Sequence, residues 1–314
     1  MNKRILVSAG GTAAAWNIVN KIKQNFKDHF EVLVCDINPH YLVPSSKIAD
    51  GFMKVPSIFE ENYYKYMLEL FAREKIDIYV PIIDFDLEIF PKDNPDLLKI
   101  GTYSTAPDSN ITKLTIDKLE INKYLSKHGL PVPKIFSVNE VSEDLYYFVK
   151  PRKGFGSQGA RKMLGKDIIN ELDDSKWVIQ EVLNNPEVTV EIFYHKNNVR
   201  TVCRERLEVK AGVCTKARIF HDNVLNELVK KLVKVLPLPV ASCIQVMKDQ
   251  NNDWRITDIN LRLGAGTALS SCAGWDLTSS ALAVWGGLDY DPMIFLGNID
   301  KEKFVVRYYQ EMIV

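Results

Sequence analysis

The chain has 314 residues, with 40 Lys plus Arg and 40 Asp plus Glu, so its formal net charge is zero. This balance excludes a general attraction to nucleic acid or to an anionic membrane, and any anion site has to be a local basic cluster. Five cysteines without a CxxC pair argue against a disulfide framework or a zinc site and favour a reducing, cytoplasmic setting. The apolar run at the N-terminus is too short for a signal peptide or a membrane span.

Strands and helices alternate along the first third of the chain. Short apolar runs predict buried strands, and stretches with apolar residues three and four apart predict helices. The predicted elements lie at residues 5–9, 13–26, 31–35, 63–75 and 78–83. This alternation predicts βαβ units and therefore a parallel sheet.

The pattern changes after a helix predicted over residues 115–128, which Gly129, Pro131 and Pro133 end. Neighbouring strands with short polar turns then predict antiparallel sheets. The predicted strands lie at residues 145–149, 177–181, 188–194, 199–204, 214–220, 243–247 and 254–259. The predicted fold class is α/β followed by α+β, with domains at residues 1–105, 106–182 and 183–314.

A basic, glycine-rich loop over residues 150–161 follows a predicted strand that ends at Lys150. Its glycines let the backbone approach a polyphosphate closely, and the lysine supplies a point charge. The loop lacks the Gly-Lys-Ser/Thr ending of a Walker A loop, and no helix clearly follows it. A flexible basic hairpin is the alternative interpretation.

A second group of polar residues ends the predicted strand near the C-terminus. Alternation along a strand places Asp258, Asn260 and Arg262 on one face. An acid beside an amide suits Mg²⁺, the arginine suits a phosphate or carboxylate, and Gln245 on the preceding strand offers another oxygen. The alternative is a polar sheet face in contact with water.

A third segment, residues 177–183, is an apolar strand that leads into a loop. Its backbone suits a flat base, and Glu187 beyond it suits ribose hydroxyls. A core strand followed by a surface acid would look the same.

In order and spacing, these segments resemble the ATP-grasp superfamily, and within it a single synthetase unit of the carbamoyl-phosphate synthase large subunit. The motifs are Asp-Lys at residues 117–118, Lys-Pro with its glycine loop, the apolar hinge with its glutamate, and acid-x-Asn-x-Arg. The resemblance covers nearly the whole chain. The segment before them resembles the parallel-sheet domain that precedes the grasp lobes, so the resemblance implies an ATP-grasp fold with a pre-ATP-grasp domain.

The resemblance implies a site for ATP with Mg²⁺, or with Mn²⁺ as the alternative metal. The implied nucleotide contacts are Lys118, Lys150, Gly154, Phe155, Gly156, Ser157, Gln158, Gly159, Gln180, Glu181, Val182, Leu183 and Glu187. The implied metal ligands are Gln245, Asp258 and Asn260, and the implied catalytic arginines are Arg262 and Arg204. Because Asp258 stands where the family usually has Glu and is the only charged ligand, the triphosphate is expected to supply most of the charge that balances the metal.

The resemblance further implies an ADP-forming carboxylate–amine ligase that works through an acyl phosphate. Its expected partners are small-molecule carboxylate and amine substrates, and neither nucleic acid nor a membrane is expected. The sequence leaves open whether the protein forms a homodimer. Three alternatives remain: an enzyme of the carbamoyl-phosphate synthase or biotin carboxylase type acting on bicarbonate, a non-catalytic nucleotide-binding module that regulates a partner, and a plain metabolite-binding protein. Loops near residues 10–16, 84–90 and 264–275 are expected to form the acceptor pocket.

Overall fold

The computed structural model describes residues 2–154, 159–210, 212–308 and 310–314. Three sheets organise this part of the chain: one of five strands, one of four and one of six. The first is parallel and the other two are antiparallel, which confirms the predicted α/β followed by α+β class. Within the described residues, no helix is both long enough and apolar enough to cross a membrane.

The N-terminal domain is a parallel sheet with its helices packed on it. Its elements are β1 (Lys3–Val7), α1 (Ala13–Asn25), β2 (Phe30–Asp36), β3 (Gly51–Lys54), α2 (Tyr63–Arg73), β4 (Ile78–Val80), α3 (Asp84–Ile89), α4 (Pro95–Ile100) and β5 (Tyr103–Ser104). The strand order is β3-β2-β1-β4-β5. The central strand β1 forms because Ile5, Leu6 and Val7 are all fully buried between layers of helices. The short helix α3 follows β4, so Asp84 is placed beyond the carboxyl end of that strand.

The helix predicted over residues 115–128 is in fact two helices, α5 (Ser109–Ile116) and α6 (Lys118–Lys127). They break at Asp117, which has an extended backbone (φ −88°, ψ 105°). Its carboxylate accepts hydrogen bonds from the N–H groups of Leu119 and Glu120 at 3.0 and 3.2 Å, so it caps the second helix. The single-helix prediction was wrong because a capping residue within an apolar pattern starts a new helix without interrupting the periodicity.

The second sheet carries the glycine-rich loop. Its elements are β6 (Ile135–Phe136), β7 (Tyr146–Pro151), β8 (Arg161–Leu164), α7 (Gly165–Glu171) and β9 (Trp177–Gln180), and the strand order is β6-β9-β7-β8. A small core that includes Val149, Ile168 and Ile179 holds the helix on the sheet. The glycine-rich loop joins β7 to β8, so a strand and not a helix follows it.

The third sheet is the largest. Its elements are β10 (Asn184–His195), β11 (Asn198–Lys210), β12 (Val213–Phe220), α8 (Asn223–Val235), β13 (Ala241–Lys248), β14 (Trp254–Asn260), α9 (Thr267–Cys272), α10 (Leu277–Trp285) and β15 (Lys303–Val306). The strand order is β14-β13-β10-β11-β12-β15. Helix α8 forms because its buried leucines, Leu225, Leu228 and Leu232, recur on one face, which packs on the sheet with α6.

Helix α10 connects the N-terminal domain to the third sheet. Residues of α1, β1 and α10 share one hydrophobic core with residues of β10 to β13. Polar contacts reinforce it: the Asn17 side chain donates to Thr278 at 2.9 Å, and Lys21 forms an ion pair with Asp276 at 3.0 Å. The strands of the three sheets fall within residues 3–104, 135–180 and 184–306, inside the predicted domain limits. The boundaries themselves stay a prediction.

Replacement of Asp117 tests whether this residue sets the start of α6. Its carboxylate caps the helix and also forms an ion pair with Arg152 at 2.6 Å. We expect Asp117→Ala to lower the free energy of unfolding by about 1–2 kcal/mol, measured by urea denaturation followed by circular dichroism. Asp117→Asn should cost roughly half as much, because the amide oxygen still caps the helix while the ion pair is lost.

The difference in the free energy of unfolding between wild type and the Asp117 variants should also depend on pH. Burial acts to raise the pKa of Asp117, but hydrogen bonds from Arg152 and from backbone N–H groups lower it overall. The stability advantage of wild type over Asp117→Asn should therefore be present above about pH 4 and disappear as the pH falls through the lowered pKa. Glu120→Gln is the control, since Glu120 meets the same arginine at 3.6 Å on the surface and should matter little. A free energy of unfolding of Asp117→Ala equal to that of wild type would contradict the capping role.

Candidate active site

A cavity of about 700 Å³ lies where the three sheets meet. Its walls come from the start of α3, the region where α5 ends and α6 begins, the glycine-rich loop, the end of β9 and strands β10 to β14. The predicted site residues that line it are Lys118, Lys150, Gly154, Gln180, Val182, Leu183, Glu187, Arg204, Gln245, Asp258, Asn260 and Arg262. Phe155, Gly156, Ser157 and Gln158 lie outside the described residues, and Glu181 and Gly159 are not part of the wall.

Two lysines lie at the glycine-rich end of the cavity. The Nζ of Lys150, at the end of β7, donates to the carbonyl oxygen of Thr257 on β14 at 2.7 Å, so this side chain links the second and third sheets. The Nζ of Lys118, the first residue of α6, donates to the carbonyl oxygen of Gly154 at 2.8 Å. Two ammonium groups therefore face the space in which the resemblance expects phosphates.

The environment of Lys150 alters its titration. Burial lowers its pKa, the Asp258 carboxylate opposes this shift, and the Lys118 ammonium adds to it. An anion bound between the two ammonium groups would relieve their repulsion and stabilise the charged form of Lys150.

The three predicted metal ligands lie together on a hairpin. Gln245 on β13 pairs directly with Asp258 on β14, and Asn260 lies two residues further along the same face. The donor set is one carboxylate and two amide oxygens, which suits Mg²⁺ that takes its other ligands from phosphates and water. Among the described residues no group of three or more His, Cys, Asp or Glu could hold a metal. These residues therefore fit an ion that arrives with a nucleotide, and they do not form a protein-only cage.

Arg262 is held by a carboxylate from another domain. Its Nε donates to Asp84 Oδ1 at 2.7 Å, and its Nη2 lies 3.3 Å from Asp84 Oδ2. Both side chains are mostly buried, with 19% and 28% of their surfaces exposed. This two-pronged pair fixes the guanidinium plane at the end of β14 and makes its position depend on the packing of the N-terminal domain. The loop of Asp84 was predicted to contribute to the acceptor pocket, but the pair of Asp84 with Arg262 was not predicted.

Glu187, the predicted ribose contact, forms an ion pair with Arg206 on β11. The Nη2 of Arg206 also donates to the carbonyl oxygen of Gly212 at 3.1 Å. Sequence reasoning missed Arg206, although it lies two residues after Arg204 and alternation along a strand places both on one face. Both residues line the cavity.

Glu181 is engaged outside the cavity. Its Oε1 accepts from the N–H of Lys134 at 2.8 Å, and its own N–H donates to the Lys134 carbonyl oxygen at 3.0 Å. It therefore ties the segment before β6 to the end of β9, and Gln180, only 4% exposed, precedes it in the wall. Gly159 has a φ of +76°, and a Cβ there would lie 3.2 Å from Trp177, so its role is to turn the backbone.

Comparisons with protein families place both parts of the chain. The model of the PylC-like N-terminal domain matches residues 5–104, and the model of the ATP-grasp domain matches residues 115–266. The chain therefore contains an ATP-grasp domain, and a PylC-like N-terminal domain precedes it. No curated protein matches the chain.

Solved structures share this fold at low sequence identity. N5-carboxyaminoimidazole synthetase from Staphylococcus aureus, complexed with ADP, is 16% identical with a TM-score of 0.71, over 93% of this chain and 80% of that one. The biotin carboxylase domain of Hydrogenobacter thermophilus 2-oxoglutarate carboxylase is 14% identical with a TM-score of 0.75, over 97% and 74%. L-amino acid ligase from Bacillus licheniformis is 13% identical with a TM-score of 0.70, over 92% and 74%. These likenesses establish the fold.

The lowered pKa of Lys150 makes nucleotide affinity depend on pH. A lysine holds a phosphate in its charged form, so affinity should fall as the pH rises through that pKa. We expect the dissociation constant of a non-hydrolysable ATP analogue with Mg²⁺ to rise about tenfold as the pH rises from neutrality through the lowered pKa of Lys150. Lys150→Met should bind about tenfold more weakly at the lower pH and should lose most of this dependence.

Lys166→Met, a change on the exposed face of α7, is the matched control and should follow wild type at each pH. Isothermal titration calorimetry measures all three proteins. Equal affinity of wild type and Lys150→Met would remove Lys150 from the nucleotide site.

Proposed function

We propose that this protein is an ATP-dependent ligase that activates the carboxylate of a small molecule as an acyl phosphate, releases ADP and transfers the acyl group to an amine. One observation carries the proposal: two lysines, a hairpin of oxygen donors and an arginine line a single cavity at the meeting point of the sheets. Both ammonium and guanidinium groups therefore line the space. They could hold the phosphates of ATP together with the carboxylate of a second substrate.

The residues of the wall divide between the parts of the nucleotide. Lys118 and Lys150 would hold phosphates, and the segment of residues 180–183 would line the adenine. Glu187 would accept hydrogen bonds from ribose hydroxyls. To do so, its carboxylate has to divide its oxygens between Arg206 and the ribose, or break the ion pair with Arg206. Gln245, Asp258 and Asn260 would hold magnesium, which when bound neutralises phosphate charge.

The chemistry proceeds in two displacements. A carboxylate oxygen attacks the γ-phosphorus, the bond to the oxygen that bridges the β- and γ-phosphates breaks, and ADP leaves. The amine nitrogen then attacks the acyl carbon, the C–N bond forms, inorganic phosphate leaves, and the amine gives up a proton to solvent. The protein contributes position and charge neutralisation, as in other phosphoryl transfers. Arg262, held by Asp84, would meet the charge of the transferring group.

The structural relatives support this class of reaction and one variant of it. One of them is a synthetase complexed with ADP, and another is an amino acid ligase. A third is a biotin carboxylase domain in complex with MgADP and bicarbonate. Bicarbonate would be activated at the same position as any other carboxylate, so an enzyme acting on it is the second candidate and belongs in the same assay.

The test is ADP release from Mg-ATP in the presence of paired carboxylates and amines, with bicarbonate among the acids. Wild type should release ADP with at least one pair. We expect Asp258→Asn to lower this rate on the order of 100-fold, because the only charged metal ligand is lost. Asp258→Glu should retain much more activity, because it keeps the carboxylate.

The outcomes separate the candidate functions. Wild-type turnover in Asp258→Asn would contradict the metal assignment. Mg-dependent nucleotide binding without ADP release for any pair would favour a non-catalytic nucleotide-binding module. ADP release with bicarbonate alone would favour the second candidate.

The single carboxylate at the hairpin predicts that metal binding depends on the nucleotide. Electron paramagnetic resonance of Mn²⁺ should show little binding to the protein alone. A non-hydrolysable ATP analogue should tighten Mn²⁺ binding by about tenfold or more over the same analogue without protein. In Asp258→Asn this gain should largely disappear. Tight Mn²⁺ binding to the nucleotide-free protein would show that the phosphates are not needed.

A further inference from the structure

The end of the cavity away from the glycine-rich loop contains a guanidinium group that the metal and phosphate roles do not use. Arg204 on β11 is only 5% exposed, and it lines the cavity. Its one hydrogen bond among the described residues runs from Nε to Glu191 at 3.1 Å. The two terminal nitrogens, which are the ones that bind carboxylates side by side, have no hydrogen-bond partner in the described part of the chain.

Glu191 fixes Arg204 from behind. This residue on β10 is completely buried, and its Oε1 accepts from both Arg204 and the Ser270 hydroxyl, the latter at 2.9 Å. Burial acts to lower the pKa of Arg204, but the negative charge of Glu191 raises it overall. Because Glu191 contacts only the Nε of Arg204, it leaves the two terminal nitrogens of the guanidinium available for another partner.

Gly266 shows where that edge lies. A Cβ built on Gly266 would be 2.0 Å from Arg204 Nη2 and 2.5 Å from Nη1. The terminal nitrogens therefore lie directly over the backbone of Gly266, which itself lines the cavity. Any side chain at this position would occupy the same space as the guanidinium.

Arg307 places a second cation behind the same loop. It follows β15, its N–H donates to Thr215 at 2.8 Å, and its Nη2 donates to the carbonyl oxygen of Ala265. It forms no ion pair with any described residue, and its Nε is buried without a hydrogen-bond partner there. Burial lowers the pKa of Arg307, and the charge of Arg204 lowers it further. Such a group gains stability when an anion binds nearby.

The ion pairs at this end leave one cation without a carboxylate partner among the described residues. Of the three guanidinium groups, that of Arg204 is paired with Glu191, that of Arg262 with Asp84, and that of Arg307 with none. Burial raises the pKa of the Cys243 thiol to about 12, so this neighbour is neutral near pH 7 and supplies no negative charge. The unpaired charge of Arg307 lies behind the loop of Ala265 and Gly266, and it adds to the positive charge that Arg204 brings to the cavity wall.

We propose that Arg204, oriented by Glu191 and supported by Arg307, binds the carboxylate of a small organic acid over Gly266, at the end of the cavity opposite the glycine-rich loop. The inference rests on the proposed function and makes it specific. Arg262 meets the transferring phosphoryl group, and Arg204 anchors the acid. Arg307 is a positioning residue, because it contacts the loop of Gly266 and not the cavity itself.

Steady-state kinetics with an acid that supports ADP release test the assignment. Gly266→Ala should raise the KM for the acid about tenfold or more and leave the KM for ATP within about twofold. Gly264→Ala is the size control: it adds the same methyl group to the same loop, but its nearest neighbour is Cys243 Sγ at 4.0 Å, so its effect on the acid should be much smaller. Equal changes in both KM values in Gly266→Ala would overturn the assignment.

Variants of Arg307 test the positioning role. Arg307→Gln should raise the KM for the acid about tenfold, and Arg307→Lys should restore part of this loss, because it keeps the positive charge. A purely structural role would lower the melting temperature of both variants and leave the KM for the acid unchanged, which would overturn the role of Arg307. Direct replacement of Arg204 would leave Glu191 buried and unpaired, so the variant Glu191→Gln/Arg204→Gln is used to keep the protein folded.

A binding measurement separates this inference from the proposed function. Acetate and its neutral isostere acetamide are titrated into wild type saturated with Mg²⁺ and a non-hydrolysable ATP analogue, at constant ionic strength. Acetate should protect wild type against thermal unfolding more than acetamide does, and the difference should vanish in Glu191→Gln/Arg204→Gln. If wild type releases no ADP but acetate still protects it more than acetamide does, the proposed ligase activity is refuted and the carboxylate subsite is not. ADP release without any difference would refute the carboxylate subsite alone.

Discussion

The hydrogen bond from Lys150 Nζ to the Thr257 carbonyl oxygen, 2.7 Å long, holds the active cavity together. It is the point at which the sheet with the glycine-rich loop meets the third sheet, beside the proposed metal ligand Asp258, which follows Thr257 on β14. The ammonium is partly buried, and burial lowers its pKa. The contact therefore keeps a costly charge close to the place where a phosphate would bind, and it sets the spacing between the two sheets before any ligand arrives.

The other charged groups of the cavity are organised by the same principle. Each cation is held on one side and keeps part of its hydrogen-bonding capacity unused: Lys118 by the carbonyl of Gly154, Arg262 by both oxygens of Asp84, and Arg204 by Glu191. A cation held on one side is oriented without being neutralised on the other. The conformational-entropy cost of ordering these long side chains is therefore part of the free energy of folding. It does not oppose the binding of an anion a second time.

Much of this arrangement could be predicted from the sequence, for identifiable reasons. The hairpin of Gln245 and Asp258 was predictable because strand periodicity and a short turn bring the residues into register. The helix break at Asp117 was missed because its capping role depends on geometry that an apolar pattern does not reveal. The partners of the arginines were missed for another reason. Asp84 and Arg262 are 178 positions apart, and only the packing of two domains brings them together. Arg307 reaches the loop of Ala265 because β15 pairs with β12, a contact that no local pattern encodes.

Two of the arginines that line the cavity, Arg262 and Arg204, differ in what controls them. Arg262 takes its position from Asp84, which belongs to the N-terminal domain, so any movement of that domain alters the group that faces the transferring phosphoryl. Arg204 takes its position from Glu191 on the adjacent strand. The contact is diagonal across the ladder of β10 and β11, in which Arg204 pairs with Thr189 and Glu191 pairs with Val202. Sheet hydrogen bonds fix that geometry whatever the N-terminal domain does. In the proposed function the anchor for the acid would therefore be fixed by the sheet, and the group that meets the phosphoryl would be coupled to domain packing. Phosphoryl transfer would then be the step that responds to a change in that packing.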